Sequence, residues 1–445
     1  MNKPLVHITA DKGWINDPNA ICYFKGHYHI FYQHHPYSCE WGPMHYGHVI
    51  SDDLIHFKRL PIALTPGDPF DKDGCFSGTA LVDNDKLLIA YTGFINNEDP
   101  AKIKQIQCLA YSLDGITFHK MGIILDETNL PSEYLPTDFR DPKLFKKDGI
   151  YYLMVAAKKK VGGGAILLYK SFDLKKWEFI SNVLNHDSEG KMIECVDYHP
   201  SLNLLLYSEQ DFLSDNHHCL NIHSCEYEIG HLNEEYKFIS SGKHLLDYGF
   251  DFYAPQVMND KHYLIAWMNM WDRNNPSAKY GFAGMLTIPR KVEVRDGLLR
   301  QTPVIYGELT NKVENVKTYK DNLLVGIIHL KAKNLESLDI SLRKGEDEET
   351  KFYLKGNKFI FDRSHSGEEI KGREKDEYSL KGMRLMPYLK EEVDDIYLIL
   401  DRFSVEIFVN GISMSNVIYP KESSDEIVIN LESQRNETKV YKLTI

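Results

Sequence analysis

Three short acidic motifs stand out by the residues that surround them. Trp14-Ile15-Asn16-Asp17-Pro18-Asn19-Ala20 places a carboxyl group between hydrogen-bonding amides and beside a proline, in an apolar and aromatic neighbourhood. Arg140-Asp141-Pro142 sets a guanidinium next to a carboxylate, which favours the ionised form, whereas Glu194 lies among Ile193, Cys195 and Val196, where burial favours the protonated form. One ionised and one protonated carboxyl group flanking a bond is the requirement for acid-assisted hydrolysis of a glycosidic linkage, with a cleft that pushes their pKa values apart. Each motif also has a structural reading, since Asp17-Pro18-Asn19 is a turn sequence and buried acids often serve structural hydrogen bonds. Their weight comes from where they recur.

Short runs rich in Tyr, Phe, Ile and Val are cut by Gly, Asn, Asp and Pro at strand-like intervals, and few stretches show helical periodicity, so the chain reads as all-β. Ser51-Asp52-Asp53-Leu54-Ile55-His56-Phe57, Ser112-Leu113-Asp114-Gly115-Ile116-Thr117-Phe118 and Ser171-Phe172-Asp173-Leu174-Lys175-Lys176-Trp177 are alike, and their closing aromatics lie about 60 residues apart, with Phe238 continuing the series. A second series, introducing apolar runs near Asp17, Ser77, Asp141, Glu194 and Ala254, has a similar spacing. Five units of about 60 residues with several strands each predict a five-bladed β-propeller over residues 1–308. If the first strand of each unit is innermost, Asp17, Asp141 and Glu194 open on one channel mouth from three blades.

Beyond about residue 310 cysteine disappears and charge runs such as Arg343-Lys344-Gly345-Glu346-Asp347-Glu348-Glu349 appear. A linker over 309–318 and a β-sandwich over 319–445 are expected, with Asn410-Gly411 as a hairpin turn. That second domain could pack on the propeller or mediate a homodimer.

Composition removes several classes of function. With 43% hydrophobic and 26% charged residues the chain is ordinary globular protein, and no apolar run is long enough to span a membrane as a helix. A formal net charge of −12 repels polyanions, so nucleic acid is not an expected partner. Seven scattered cysteines with no CxxC spacing predict neither a disulfide framework nor a zinc site, and the first ten residues lack a secretory apolar stretch, so a cytoplasmic location is expected. His27, His29, His34, His35, His45 and His48 lack a recognised metal-ligand spacing and are expected to bond and pack within strands. Gly162-Gly163-Gly164 after three lysines reads as a hairpin tip, not a phosphate loop.

The ordered set of motifs resembles the β-fructofuranosidases of glycoside hydrolase family 32. Trp14 to Ala20 is similar to that family's WINDPNG signature, Arg140-Asp141-Pro142 to its RDP motif and Glu194-Cys195 to its EC motif. Further matches are Trp41-Gly42-Pro43-Met44, Cys75-Phe76-Ser77-Gly78-Thr79, Asp251-Phe252-Tyr253-Ala254-Pro255-Gln256 and, in the second domain, the stretch from Asp401 to Gly411. The resemblance implies a propeller followed by a sandwich, a small sugar substrate and no metal or organic cofactor. It implies Asp17 as nucleophile, Glu194 as general acid/base and Asp141 as transition-state stabiliser. It further implies that Asn16, Gln33, Trp41, Phe76, Ser77, Arg140 and Trp267 line a fructose pocket.

Retention of configuration, which the resemblance implies, predicts carboxyl groups about 5–5.5 Å apart. Ala20 departs from the signature, which usually has glycine there; in a left-handed backbone it would cost on the order of 1 kcal/mol. Sucrose, sucrose 6-phosphate and short fructo-oligosaccharides fit this reading equally. An inverting arabinose- or xylose-directed glycosidase, a fructosyltransferase and a noncatalytic fructan-binding propeller are the competing readings.

Overall fold

A computed structural model describes residues 3–186, 192–211, 220–304 and 306–443; Cys219 lies outside them. Five sheets, each with four blade strands, stand around a common channel. Their first strands are Gly13–Phe24, Gly74–Asp83, Tyr134–Lys147, Met192–His199 and Tyr253–Val257. Each touches the next, and the last returns to the first. The expected propeller is therefore present, with the first strand of each unit innermost.

The sequence explains why the strands order from inside to outside. Middle strands such as Lys86–Ile95 and Leu204–Gln210 are apolar on both faces because a neighbouring blade covers each side. Outer strands such as His119–Leu125 alternate exposed and half-buried residues, the pattern of an edge with one wet face. The apolar clusters lie between blades: Ala20, Phe31 and Cys75 join blades 1 and 2, and Ile15, Ile30 and Ile265 join blades 1 and 5. The ring is closed by Phe282–Ala283, which follows the fifth blade's second strand and pairs in parallel with Gly13 and Trp14 of the first.

The Ser-x-Asp repeat is a turn before the outer strand of a blade. Ser51 Oγ donates to Asp53 Oδ1, which also accepts from the Ile55 and His56 amides, and Ser112/Asp114 and Ser171/Asp173 repeat the arrangement. Those amide bonds hold the Asp53 and Asp114 carboxyls below the usual carboxylate range despite some burial. The closing aromatics Phe57, Phe118 and Trp177 pack on the cores beneath.

The second domain is a sandwich built on two long strands, Gly326–Lys344 and Glu426–Lys442. Residues 326–333 pair with Val393–Asp401 on one side and with 435–442 on the other, whereas 339–342 pair with Glu349–Lys355 and with 428–430. The register shifts between Leu335 and Ser337, so both strands pass from one layer to the other at that irregularity. The core between the layers holds Ile328, Ile340, Phe352, Phe361, Leu398 and Ile407. Asn410-Gly411 forms the expected hairpin turn, both residues at positive φ. The linker differs from expectation: Glu308–Glu314 is a strand paired with 437–442, so the connection is the short stretch after Pro303. Its alternation of polar residues conceals a sheet edge whose partner is more than 120 positions away in sequence.

Buried charges join the domains. Arg290, fully buried, bonds Glu406 together with Asp247 (3.2 Å), and His7 lies between Asp401 (2.9 Å) and Glu406 (2.8 Å). Burial alone would push the His7 imidazole down, but those two carboxylates outweigh it and hold its pKa at about 9. A histidine raised above its unfolded value of about 6.5 stabilises the fold fully below that pH and loses the contribution as pH rises through about 9, here on the order of 3 kcal/mol. Denaturant midpoints are therefore expected to fall between about pH 7 and 10 in the native protein, with His7→Gln lacking that slope. An unchanged slope in His7→Gln would contradict the assignment.

Candidate active site

All five inner strands enter from the same mouth, so residues near their first ends ring it. A cavity of about 320 Å³ opens there, lined by Asn16, Asp17, Gln33, Trp41, Phe76, Ser77, Phe94, Gln105, Asp138, Arg140, Asp141, Glu194, Gln210 and Trp271. Asp17, Asp141 and Glu194 are 7%, 5% and 8% exposed.

Each inner strand carries a register shift at this level, between Asn19 and Cys22, Phe76 and Gly78, Arg140 and Lys143, Glu194 and Asp197, and Tyr253 and Gln256. Four of these bulges place a residue other than glycine at positive φ: Ala20 (47°), Asp141 (61°), Cys195 (51°) and Ala254 (49°). A bulge re-aims side chains that a flat ladder would send alternately to either face. Of the two conformations open to it in sequence, Ala20 thus adopts the left-handed one, and it is one of a series, not a lone defect. At Asp141 the strained residue is itself in the acid cluster.

Hydrogen bonds fix the carboxyl groups. Trp14 Nε1 donates to Asn16 Oδ1 (2.8 Å), Asn16 Nδ2 to Asp17 Oδ1 (3.0 Å), and Ser77 Oγ to Asp17 Oδ2 (2.5 Å). Asp141 Oδ2 accepts from the Cys195 amide (2.9 Å), and the Cys195 thiol lies 3.6 Å from Asp17 and 3.7 Å from Asp141. Burial raises the Asp17 carboxyl above its ordinary range, against the Ser77 and Asn16 bonds, and nearby Glu194 adds to the rise. Burial likewise pushes Asp141 up to about 7, against Arg140 and with Glu194 and Asp17.

The pairing of the guanidinium differs from that read off the motif. Arg140 Nε and Nη2 both donate to Glu194 Oε1 (3.0 and 2.9 Å), and Nη1 bonds Gln105 and Asp138 (both 3.1 Å). Asp141, its neighbour in the chain, is 4.0 Å away because the bulge turns that carboxyl toward Cys195. Tyr253 Oη donates to Glu194 Oε2 (2.6 Å), and burial keeps that phenol neutral, with Glu194 acting in the same direction. Three buried carboxyl groups therefore face one cation, and burial works against ionisation of both aspartates.

Farther along the same strands the channel is filled. Lys143 Nζ pairs with Asp197 (2.5 Å) and donates to Asn259 (2.8 Å), His199 meets the other Asp197 oxygen (2.9 Å), and Gln256 donates to the Gly78 carbonyl (2.8 Å). The cavity is a pocket with a floor.

Asn16, Asp17, Gln33, Trp41, Phe76, Ser77, Arg140, Asp141 and Glu194 meet in this pocket. Trp267 does not. It ends the strand Tyr263–Trp267, is completely buried and packs against Trp14 (5.6 Å) and Trp271 (4.9 Å); the turn that follows delivers Trp271 to the wall instead. Phe94, Gln105, Asp138, Gln210, Trp271 and the Tyr253 hydroxyl escape sequence reasoning. Asp138 alone has a local signal, two positions before Arg140 on the same strand. Phe94, Gln105 and Gln210 come from second and third blade strands, where only cross-strand pairing places them. The histidines bond in place: His29 to His48 (3.0 Å), His34 to the Trp14 carbonyl (2.9 Å) and His45 to the Pro43 carbonyl (3.0 Å). Among the described residues no group of three or more His, Cys, Asp or Glu could hold a metal, and no helix is long and apolar enough to cross a membrane.

Known proteins are similar over nearly the whole chain. A sucrose-6-phosphate hydrolase of Zymomonas mobilis is 36% identical, spanning 95% of this chain and 88% of that protein, and a raffinose invertase of Escherichia coli is 36% identical, spanning 95% and 91%. Among solved structures, sucrose-6-phosphate hydrolase from Lactobacillus gasseri superposes with a TM-score of 0.89 at 26% identity, covering 99% of this chain and 93% of that one. A β-fructofuranosidase mutant of Bombyx mori in complex with sucrose superposes with a TM-score of 0.80 at 29% identity, covering 99% and 94%. Residues 7–303 match the glycosyl hydrolases family 32 N-terminal domain and residues 298–445 the glycosyl hydrolases family 32 C terminal, the two matches meeting where the last blade gives way to the sandwich. With both domains matched, the chain belongs to glycoside hydrolase family 32.

Proposed function

We propose that this protein removes the terminal β-D-fructofuranosyl unit from sucrose, sucrose 6-phosphate or short fructo-oligosaccharides, with retention of configuration. The observation that carries the reading is the convergence of three buried carboxyl groups from three blades in a pocket with a closed floor. A floor admits a chain end and not the middle of a polymer, which fits exo-action on small sugars. The named activities of the relatives, and the sucrose bound to one of the similar structures, support the same substrate class.

In the first step Asp17 attacks C2 of the fructosyl unit while Glu194 donates its proton to the departing glycosidic oxygen, leaving a fructosyl ester on Asp17. In the second, Glu194 takes a proton from water as that water attacks C2, and fructose leaves with Asp17 restored. Asp141, held by the Cys195 amide, accepts hydrogen bonds from fructose hydroxyls and opposes the positive charge of the oxocarbenium-like transition state. Tyr253 and Arg140 fix the orientation of Glu194 for both transfers. Asn16 and Ser77 aim Asp17 and favour its ionised form. Trp41, stacked edge-on to Phe76 at 5.8 Å, offers an apolar wall beside the reacting centre.

Fructose release from sucrose, sucrose 6-phosphate, 1-kestose and inulin is the direct test. Turnover of the small fructosides well ahead of inulin is expected. No release from any of them would overturn the proposal, and predominantly trisaccharide product in concentrated sucrose would make the protein a transferase.

A further inference from the structure

The sandwich reaches the pocket through one side chain that it does not itself supply. Trp271 lines the cavity and stacks on Trp14 at 6.0 Å and 22°. It sits in an irregular turn after the strand Tyr263–Trp267, outside any ladder, and its indole N–H is buried with no acceptor among the described residues. Neither sheet pairing nor a hydrogen bond of its own fixes the ring, so its place rests on packing against Trp14 and Trp267 and on how the residues beside it hold the turn.

Those residues are held from the second domain. Arg373 Nη2 donates to Asp272 Oδ2 (2.6 Å) and to Asp211 Oδ1 (3.0 Å), next in sequence to the pocket residues Trp271 and Gln210. Glu374 pairs with Arg273, which is buried and also bonds Asp251 (2.9 Å). Asn274 exchanges bonds with the backbone of Lys371, donating through its amide at 3.3 Å and accepting at Oδ1 at 2.6 Å. Three consecutive residues after Trp271 are thus each clamped by one loop of the sandwich. Asp272 also accepts from His223 (2.7 Å), which ties the same turn to blade 4.

We propose that Arg373 and Glu374 are positioning residues of the substrate pocket, holding Trp271 against Trp14 so that the C-terminal sandwich sets how tightly the sugar is bound. The inference rests on the pocket being the fructoside site. It gives the second domain a part in substrate recognition although none of its side chains lines the cavity.

Glu374 shares its buried site with Arg273 and Arg384, so removing it takes one of two carboxylates from Arg273 and the ion pair from Arg384, which threatens the fold. Arg373 is the better probe, because its side chain is 55% exposed. In Arg373→Ala, KM for sucrose is expected to rise about 3- to 10-fold with kcat nearly unchanged, the loss of one well-placed aromatic contact. Arg373→Lys should recover part of it. The contacts of Trp271 with Trp14 and Trp267 should add to a far-ultraviolet exciton couplet that Trp271→Ala reduces to the Trp14–Trp267 contribution and Arg373→Ala weakens. On a Trp271→Ala background Arg373→Ala should add no further rise in KM. An unchanged KM and couplet in Arg373→Ala, or the same KM penalty in both backgrounds, would overturn the inference. A native protein that releases no fructose would instead defeat the fructosidase reading, while the couplet would still report whether the sandwich holds Trp271.

Discussion

Asp17→Asn is expected to fold as the native protein does and to lose about 10⁴- to 10⁶-fold in kcat on sucrose, the scale on which removal of a covalent nucleophile acts. The amide keeps the size of the carboxyl group and can still accept from Ser77, so the first blade's bulge should persist. What disappears is the charge that attacks C2 and opposes the oxocarbenium ion. Burial already holds the Asp17 carboxyl above its ordinary range, so ionising it costs the folded state. A neutral amide there should leave the thermal midpoint unchanged or higher, the usual exchange of activity for stability at a functional site. Rates near native in Asp17→Asn would remove the nucleophile from the proposal, and a collapsed fold would make Asp17 structural.

Glu194→Ala is expected to show a smaller loss on sucrose, about 10²- to 10⁴-fold, with a dependence on the reactants that no structural role reproduces. A leaving group that needs no proton, such as fluoride, should restore the first step. Azide should restore the second, because an anion requires no general base, and the product should be the β-fructosyl azide. Arg140 keeps Asp138 and Gln105 as partners in this variant, so the guanidinium is not stranded. If azide neither accelerates turnover nor appears in product, Glu194 is not the acid/base.

How much of this was legible in sequence depends on how local each signal is. The five blades could be counted because three units repeat the same Asx turn and aromatic plug, set by residues within seven positions of one another, and a second series of motifs recurs five times at the same spacing. The sandwich edge at Glu308–Glu314 was not legible, because its partner lies near the other end of the chain. The carboxyl groups of the three acid motifs do line one cavity, yet adjacency misled about Arg140: the bulge at Asp141 sends neighbouring side chains to different partners. Trp267 and Trp271 show the same limit. Both are tryptophans near one strand end, and only the path of the turn decides which faces the core and which faces the cavity.

The central claim is a double displacement through Asp17, and its most direct test is to run the native enzyme on sucrose in aqueous methanol and identify the methyl fructoside by NMR. Methanol intercepts the fructosyl-enzyme before mutarotation can erase the configuration at C2. Methyl β-D-fructofuranoside, formed by the native protein and not by Asp17→Asn, is the expected result. The α-anomer would mean a single displacement by inversion, and would contradict Asp17 as nucleophile.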